Sequence, residues 1–513
     1  MDHKKAPMKT MDFKTSLFTT LCLTLFIYSA EAQNYRYTST LFPSSTITSN
    51  VVYGTANFLN GPYNDENNTS VGNLIMDIYH PQGDTCTNRP VILFAHGGGF
   101  FSGTRNNNDM AAFCDSFARM GYVTATFDYR MGVYTSSNSS LHYTRTVYRA
   151  IQDGRTAVRY FRANAAIYGI NPNKIYFAGS SAGAFIGLQS IYMDEPSEKP
   201  ASAGAITYTD IIAPFNFSGP DLGGYNIGDN LSFNGEPDAV LSLWGGVAST
   251  GLITVNNNQP VFLVHGTIDP IVPFDIGSPF SLPSLPNTYG SKQINLKLDS
   301  LGITDKETYF VPNQGHEFYG VTNGMWNTGF GGNAYWDTIV NRSAIFFWKH
   351  HKPLADFSSS ATQLNVNFTD NSSGSILWHW DFGDGNSSNL QNPVHTYASD
   401  GTYTVNLYIE NNIQSWDTIS HQITITATGI DKLKSNNFSV FPIPSNGPVY
   451  INFKYVLKNA SVQLFNTRGQ LIQEKFYQNN DQLTIDLSGL ENNIYFIRIL
   501  TNEEISWIKV IKN

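Results

Sequence analysis

The chain has few charged residues and no excess of basic ones. Its 513 residues include 31 lysines and arginines against 40 aspartates and glutamates, so the net charge is −9 at pH 7. Because a phosphate backbone is held mainly by basic side chains, this composition argues against nucleic acid as a partner. An apolar share of 41% is still ample for buried cores, and the length predicts two to four domains.

Long hydrophobic runs are also scarce, because no segment after the N-terminus reaches 18 apolar residues. At the N-terminus, four lysines precede an apolar run over residues 17–28, and the small-residue pattern Ala30-Glu31-Ala32 follows. This order predicts a secretory signal peptide over residues 1–32, whereas a membrane anchor would suit a longer span. We expect an exported protein.

Cysteine is rare, with three in the whole chain. Cys22 lies within the predicted signal peptide, which leaves Cys86 and Cys114 for an oxidising compartment. We predict a Cys86–Cys114 disulfide that would clamp a strand to the following helix. Two separate buried thiols are the alternative.

Short apolar runs alternate with helical patterns between about residues 70 and 350. Their order predicts an α/β fold with a mostly parallel sheet. The predicted strands are Leu74–Tyr79, Val91–Ala95, Val123–Phe127, Ile175–Ala178, Val240–Leu243, Val261–Val264 and Thr308–Val311. Helical periodicity runs over residues 147–168 and 182–193, and Asn171-Pro172-Asn173 should break the first helix. The Gly- and Asn-rich segment 194–237 is a candidate substrate-facing insertion.

The most informative motif is Gly179-Ser180-Ser181-Ala182-Gly183, which joins a predicted strand to a predicted helix. In this context the pattern is that of a nucleophile elbow, in which glycines permit a tight turn that exposes the central serine. Ser181 is therefore the candidate nucleophile, and the backbone N–H of Ala182 lies beside it.

Three adjacent glycines follow the predicted strand at Val91–Ala95. In His96-Gly97-Gly98-Gly99-Phe100 they allow the backbone to approach a substrate carbonyl closely. We predict that Gly98 and Gly99, together with Ala182, form an oxyanion hole.

The acid and base should follow the nucleophile in the order Ser, Asp, His. Asp269 comes just after the strand at residues 261–264, and His316 comes after the next predicted strand. Asp269 would orient the imidazole of His316, which would take the Ser181 proton. The competitors are Asp275 for the acid, and for the base the histidines His265, His350 and His351.

Together, these motifs resemble the carboxylesterase and hormone-sensitive-lipase-like branch of the α/β-hydrolases. The matching pieces also include Asp128-Tyr129-Arg130 and the segment 152–170. Ser180 departs from that branch, which more often has Asp or Glu before the nucleophile. The resemblance spans residues 70–350 and implies an α/β-hydrolase domain, assigned to residues 33–352, that hydrolyses esters through an acyl-enzyme, with no metal and no cofactor.

Helical periodicity is almost absent beyond His351, so we predict two small all-β sandwich domains there. The segment 378–385, with Asn392-Pro393-Val394-His395 and 401–405, resembles a PKD-type domain, assigned to residues 353–428. Its Asp381 and Asp384 are expected to bond to local backbone in a glycine-containing turn rather than to a metal.

The last segment resembles the C-terminal sorting domain of type IX secretion in Bacteroidetes, assigned to residues 429–513. The resemblance is carried by 438–447, 462–470, 485–490, 495–498 and 509–512. It implies the type IX secretion machinery as a partner, followed by release or attachment at the cell surface.

The residues predict a secreted serine carboxylesterase acting on esters of an extracellular polymer, such as acetylated or feruloylated polysaccharide. A polyester hydrolase, a serine peptidase and a non-catalytic adhesion protein with this fold are the alternatives. Four aromatic residues near the catalytic loops are candidates for the cleft lining, with core packing as an equal possibility: Phe100, Phe101, Trp244 and Trp326.

Overall fold

The computed structural model describes residues 35–61, 63, 65–134, 139–209, 216–329, 331–426, 438–501 and 505–513. The predicted signal peptide at 1–32 lies outside the described residues. The chain divides into two compact units, Met1–Pro353 with Glu410–Trp416, and Leu354–Ile409 with Asp417–Asn513. Within the described ranges, no helix is both long and apolar enough to cross a membrane.

The first unit is built on an eight-stranded sheet with the order β1-β2-β4-β3-β5-β8-β10-β13. Its strands and those of the small sheets beside it are β1 Ser45–Leu59, β2 Thr69–Pro81, β3 Arg89–Ala95, β4 Val123–Phe127, β5 Ile170–Ser180, β6 Ile206–Thr209, β7 Asn216–Gly219, β8 Ala239–Leu243, β9 Gly246–Val247, β10 Val261–Gly266, β11 Ile276–Gly277, β12 Thr288–Gly290, β13 Lys306–Val311, β14 Val321–Thr322 and β15 Met325–Trp326.

The central sheet is parallel from β4 to β13 and antiparallel at the β1 and β2 edge. All seven predicted strands are present, and the predicted α/β fold with a mostly parallel sheet is confirmed. The sequence analysis missed β1, because this edge strand is largely exposed and therefore lacks a continuous apolar run.

Six α-helices accompany the sheet in the described part of the first unit. They are α1 Asn108–Arg119, α2 Ser139–Ala163, α3 Ala165–Tyr168, α4 Ala182–Tyr192, α5 Ser291–Ser300 and α6 Ala334–Lys349, with 3₁₀ turns at Pro196–Glu198, Ala201–Ala203, Thr250–Leu252 and Pro279–Ser281. Alternate residues of β3 enter two cores: Leu93 packs with residues of α2 and α4, and Phe94 packs with residues of α1 and α6. Both faces of the sheet are thus covered, as a parallel sheet requires.

The helical pattern ends earlier than predicted. Gly169 adopts a left-handed φ of 60° after α3, and β5 begins at the next residue. Glycine tolerates this conformation at a helix C-terminus, so Gly169 ends the helix, and the predicted break at 171–173 is wrong.

Segment 194–237 is held against α2 by arginines. Four of them are at most 9% exposed, and their guanidinium groups donate to main-chain carbonyls. The pairs are Arg145 with Ser202, Gly204 and Pro220; Arg155 with Ser190 and Met193; Arg159 with Ile227 and Asp229; Arg162 with Asn234 and Glu236. The Arg155 bonds reach the end of α4, and those of the other three arginines satisfy carbonyls of segment 194–237, which has little secondary structure of its own.

The predicted disulfide is not formed, because Cys86 and Cys114 are free thiols. The Cys86 backbone N–H donates to Asp84, and its sulfur lies 3.5 Å from the carbonyl oxygen of Thr87. Cys114 is fully buried in α1, and burial raises the pKa of its thiol. The alternative of two separate thiols is therefore the one observed.

The second unit contains only β-strands as regular elements among its described residues. They are β16 Phe357–Thr362, β17 Asn365–Asp370, β18 Leu377–Asp381, β19 Ser387–Ser388, β20 Val394–Thr396, β21 Gly401–Glu410, β22 Trp416–Ile425, β23 Phe438–Phe441, β24 Pro448–Phe465, β25 Leu471–Asp486, β26 Ile494–Thr501 and β27 Ile505–Ile511, with β21 and β22 crossing the unit boundary. A core around Trp380 lies within β16–β22, and a separate core around Ile497 lies within β23–β27.

Candidate active site

Ser181 occupies a sharp turn between β5 and α4. Its φ of 52° and ψ of −112° are unfavourable for a residue with a side chain, and its N–H donates to the carbonyl of Leu243 at 2.9 Å. A Cβ on Gly179 would lie 2.2 Å from the carbonyl carbon of Gly183, and one on Gly183 would lie 2.1 Å from the oxygen of Ala95. Both glycines are therefore required for this turn.

The glycine loop after β3 is held in one conformation. Gly98 and Gly99 have φ of 113° and 63°, and the Gly98 carbonyl accepts N–H bonds from Phe101 and Ser102 at 3.0 and 3.1 Å. A Cβ on Gly98 would lie 2.0 Å from the Ser102 oxygen. The loop can thus present backbone N–H groups in fixed directions, as an oxyanion hole needs.

Asp269 and His316 form a short pair behind the turn. His316 Nδ1 lies 2.7 Å from Asp269 Oδ2, and Asp269 Oδ1 accepts the N–H groups of Ile271 and Val272 at 2.8 and 3.0 Å. Burial by itself raises the pKa of Asp269, but hydrogen bonds from His265 and His316 outweigh it and hold that pKa far below its usual range. The carboxylate is therefore ionised at neutral pH.

The competing residues have other partners. Asp275 is about half exposed and contacts Lys292 and Gln293. His265 is buried and lies 2.8 Å from Ser291 Oγ, with Asp269 at 3.4 Å. His351 is buried against Tyr122, and His350 lies 3.8 Å from Asp305. The Asp269 carboxylate thus contacts both His316 and His265.

One cavity of about 400 Å³ joins the predicted site residues. Its lining includes Ser181, His316, Gly98 and Gly99, with Asp269 bonded behind His316. Ala182, the third predicted oxyanion donor, is the first residue of α4, where backbone N–H groups lack intrahelical partners. A larger cavity of about 720 Å³, lined in part by residues 220–223, contains none of these residues.

The candidate cleft aromatics separate into two groups. Phe101 is 46% exposed and lines the cavity, whereas Phe100 and Trp244 are fully buried. Trp326 packs edge-on against Trp336 at a centroid distance of 5.1 Å. Phe101 is thus the one candidate of the four that faces the cleft.

Two cleft residues were not predicted. Phe280 lines the cavity from a turn with a φ of 57° and lies edge-on to Phe101 at 6.4 Å. Glu317 follows His316 directly and accepts the backbone N–H of Asn323 at 2.5 Å, and burial raises the pKa of its carboxyl group. An acidic residue next to the candidate base was a signal available in the sequence, whereas nothing near Phe280 marked it.

Family models match three parts of the chain. Residues 76–199 match BD-FAE, residues 352–427 match the PKD domain, and residues 439–513 match the secretion system C-terminal sorting domain. The chain therefore contains an esterase-like α/β-hydrolase domain, a PKD domain and a sorting domain. The sorting domain indicates type IX secretion to the exterior or to the cell surface.

Individual relatives of this α/β-hydrolase match it over limited lengths. Carboxylesterase 3B of Mus musculus is 30% identical over 145 residues, which are 27% of this chain and 24% of the relative. A probable isoprenylcysteine alpha-carbonyl methylesterase of Oryza sativa subsp. japonica is 24% identical over 223 residues, covering 40% of this chain and 50% of the relative. The chain thus spans 24% of the first protein and 50% of the second.

Solved structures similar to this hydrolase include the apo form of Thermogutta terrifontis esterase 2. The similarity covers 58% of this chain and 95% of that chain, at 19% identity and a TM-score of 0.36.

Proposed function

We propose that the first unit is a serine carboxylesterase in which Ser181 is the nucleophile, His316 the general base and Asp269 the group that orients it. The observation that carries the proposal is the single cavity lined by Ser181, His316, Gly98 and Gly99, with a 2.7 Å Asp269–His316 contact behind it. The matches to carboxylesterases support the same reaction class.

The proposed reaction has two steps. Because Nδ1 of His316 faces Asp269, its Nε2 is left to take the proton of Ser181 as the hydroxyl oxygen attacks the ester carbonyl. The tetrahedral intermediate collapses when His316 returns that proton to the leaving alcohol, which leaves an acyl-serine. His316 then deprotonates a water molecule as its oxygen attacks the acyl carbonyl. The proton passes from His316 to the Ser181 oxygen as the acid is released, which restores the free serine.

Negative charge on the carbonyl oxygen is assigned to the N–H groups of Gly98, Gly99 and Ala182. Losing one such donor typically costs about 3 kcal/mol of transition-state stabilisation. Asp269 stays ionised throughout, because its hydrogen bonds favour the carboxylate, and it stabilises the imidazolium of His316.

The proposed substrates are esters attached to an extracellular polymer, with acetylated or feruloylated polysaccharide as the leading class. Export by type IX secretion supports an extracellular substrate. The rings of Phe101 and Phe280, together with Ile271, give the cavity an apolar wall suited to a planar acyl group or a sugar face. We further propose that residues 429–513 engage the secretion machinery.

The test is hydrolysis of p-nitrophenyl acetate, butyrate and octanoate by the purified full chain and by Ser181→Ala and His316→Ala. Both variants should lose at least about 10³-fold in kcat while remaining folded. Acetylated xylan, a methyl ferulate, a polyhydroxyalkanoate and an aminoacyl p-nitroanilide then separate the substrate classes. A folded wild type that is inert on every ester would refute the esterase proposal, and preference for the anilide would favour a peptidase.

A further inference from the structure

Two buried hydrogen bonds, joined by a contact between two aromatic rings, lie behind the nucleophile turn and outside the cavity. Ser180, the residue before the candidate nucleophile, is fully buried, and its Oγ accepts the indole N–H of Trp244 at 3.0 Å. Burial raises the pKa of the Tyr319 phenol, and the nearby Ser180 side chain partly offsets that rise. The Tyr319 hydroxyl in turn donates to Asp109 Oδ2 at 2.7 Å.

The two hydrogen bonds have defined directions. An indole N–H is only a donor, so the Ser180 oxygen accepts from Trp244. The Tyr319 hydroxyl directs its proton to Asp109, and its ring packs on Trp244 at a centroid distance of 4.8 Å. All four side chains, those of Trp244, Ser180, Tyr319 and Asp109, are fully buried. Leaving one of their polar groups unpaired would be costly, and this favours a single arrangement.

These side chains adjoin both candidate catalytic residues, Ser181 and His316, from behind. The peptide of Ser180 leads directly into Ser181, and the Trp244 ring lies edge-on to the His316 ring at a centroid distance of 5.9 Å. The Trp244 ring also packs against the Tyr319 ring at a centroid distance of 4.8 Å, and the backbone N–H of Trp244 donates to the Val264 carbonyl at 2.6 Å. Its φ of 45° shows a backbone held in an unfavourable conformation at this point.

The carboxyl group of Asp109 belongs to α1, which is distant in the sequence from Tyr319. Asp109 lies in the first turn of α1, 210 positions from Tyr319, and its Oδ1 accepts the N–H of Met110 at 2.7 Å. Its own N–H donates to the carbonyl of Gly324 at 3.2 Å. Asp109 therefore ties α1 to the loop that carries His316.

We propose that Trp244, Ser180, Tyr319 and Asp109 form a positioning network that fixes the Ser181 turn and the His316 ring relative to each other. None of the four lines the cavity described above, so they act through Ser181 and His316 rather than on the substrate. The inference rests on the proposed esterase function. It predicts that loss of one link lowers kcat and leaves KM almost unchanged.

The test compares Tyr319→Phe with Tyr176→Phe in the full chain. Both changes remove one buried phenol hydroxyl, but the hydroxyl of Tyr176 has no hydrogen-bond partner among the described residues. Tyr319→Phe should lower kcat for p-nitrophenyl butyrate by about 10- to 100-fold, because small misplacements of reacting groups are costly. In Tyr319→Phe, KM should change less than about twofold, which is our threshold for no effect. In Tyr176→Phe, neither kcat nor KM should change by more than about twofold.

A second measurement separates positioning from a loss of folding. Ser180→Ala, Tyr319→Phe and the double variant should lose similar fractions of kcat, since both changes remove a contact of the same network around Trp244. The rate at which paraoxon phosphorylates Ser181, measured from the release of p-nitrophenol below the melting temperature, should fall in parallel with kcat in these variants. A wild type that hydrolyses no ester would refute the proposed function. If the wild type is active but Tyr319→Phe has the same kcat as Tyr176→Phe, the network alone is refuted. Additive losses of kcat in the Ser180→Ala, Tyr319→Phe double variant would refute it as well.

Discussion

Two histidine–aspartate pairs of almost equal geometry occupy different units of this protein. His316 and Asp269 meet at 2.7 Å in the first unit, and His395 and Asp384 meet at 2.8 Å in the second. Both histidine side chains are 12% exposed. Distance and histidine exposure therefore do not distinguish a candidate catalytic pair from a structural one.

The surroundings of the two pairs differ. Asp269 is fully buried, and its histidine lines a cavity that also contains a strained serine and a glycine loop. Asp384 is 13% exposed and accepts the N–H of Asn386, while His395 stacks on Phe382 at 4.1 Å. The second pair thus holds a turn together, whereas the first has the candidate nucleophile Ser181 within the same cavity. A catalytic assignment depends on that third group.

The largest expected effect comes from removing the charge of each aspartate. Asp269→Asn should lower kcat for p-nitrophenyl butyrate by about 10⁴-fold, because the imidazole loses the partner that sets its tautomer. Asp384→Asn should leave kcat unchanged. Steady-state kinetics on the two full-length variants measures both values, and equal losses would remove the distinction between the pairs.

The two glycine turns beside these pairs give the next largest effect. Gly98→Ala places a Cβ 2.0 Å from the Ser102 oxygen at a φ of 113°, so we expect kcat/KM to fall by about 10²- to 10³-fold. Gly383→Ala, with its Cβ 2.4 Å from the Thr404 oxygen, should destabilise the PKD domain and spare activity. Kinetics and thermal unfolding of both variants check this, and a Gly98→Ala enzyme of full activity would contradict the oxyanion assignment.

A buried carboxyl group bonded to tyrosine rather than histidine should show the opposite pH dependence of stability. Burial raises the pKa of Asp109 to about 7, although its bond from Tyr319 opposes this. Because the unfolded value is about 3.9, the stabilisation by neutral Asp109 is complete below about pH 4 and is lost as pH rises through 7.

Asp109→Asn, which is neutral throughout, should therefore gain stability relative to the wild type between pH 4 and pH 8, by at most roughly 4 kcal/mol. Calorimetry at both pH values measures the difference. For Asp269, whose pKa is depressed, the wild-type advantage over Asp269→Asn should instead be present at pH 7 and shrink as pH falls below about 4. If the stability difference between variant and wild type changed with pH in the same direction for Asp109 and Asp269, the opposite pKa shifts of these two residues would be contradicted.

Breaking the second pair should have a small effect on stability only. His395→Ala removes the contact to Asp384 and the stack on Phe382, and we expect about 1 kcal/mol of destabilisation. Urea unfolding followed by tryptophan fluorescence measures it, since Trp380 lies in the same core. Any loss of esterase activity below the unfolding transition would contradict a purely structural role.

The smallest expected effect is that of a reductant. Because Cys86 and Cys114 are free, dithiothreitol should change neither the melting temperature nor kcat. A decrease in melting temperature on reduction would show a covalent clamp in the first unit and would restore the disulfide that the sequence predicted.

Local sequence determined most of the fold and the outline of the candidate site. Buried strands of a parallel sheet leave continuous apolar runs, so seven strands of the central sheet could be read directly, whereas β1 could not. The Ser181 turn needs glycine on both sides, and the glycine loop needs positive φ, so each left a short motif. Asp269 and His316 followed from their order after successive strands.

Tertiary structure alone decided which groups meet across long sequence separations. Asp109 bonds to Tyr319 over 210 positions, and Phe280 reaches the cleft from a turn with no motif. It also decided that Cys86 and Cys114 stay apart. Local sequence patterns reflect the conformation of adjacent residues, whereas a contact between distant segments depends on how the strands and helices pack, and such packing leaves no periodic signal in a single sequence.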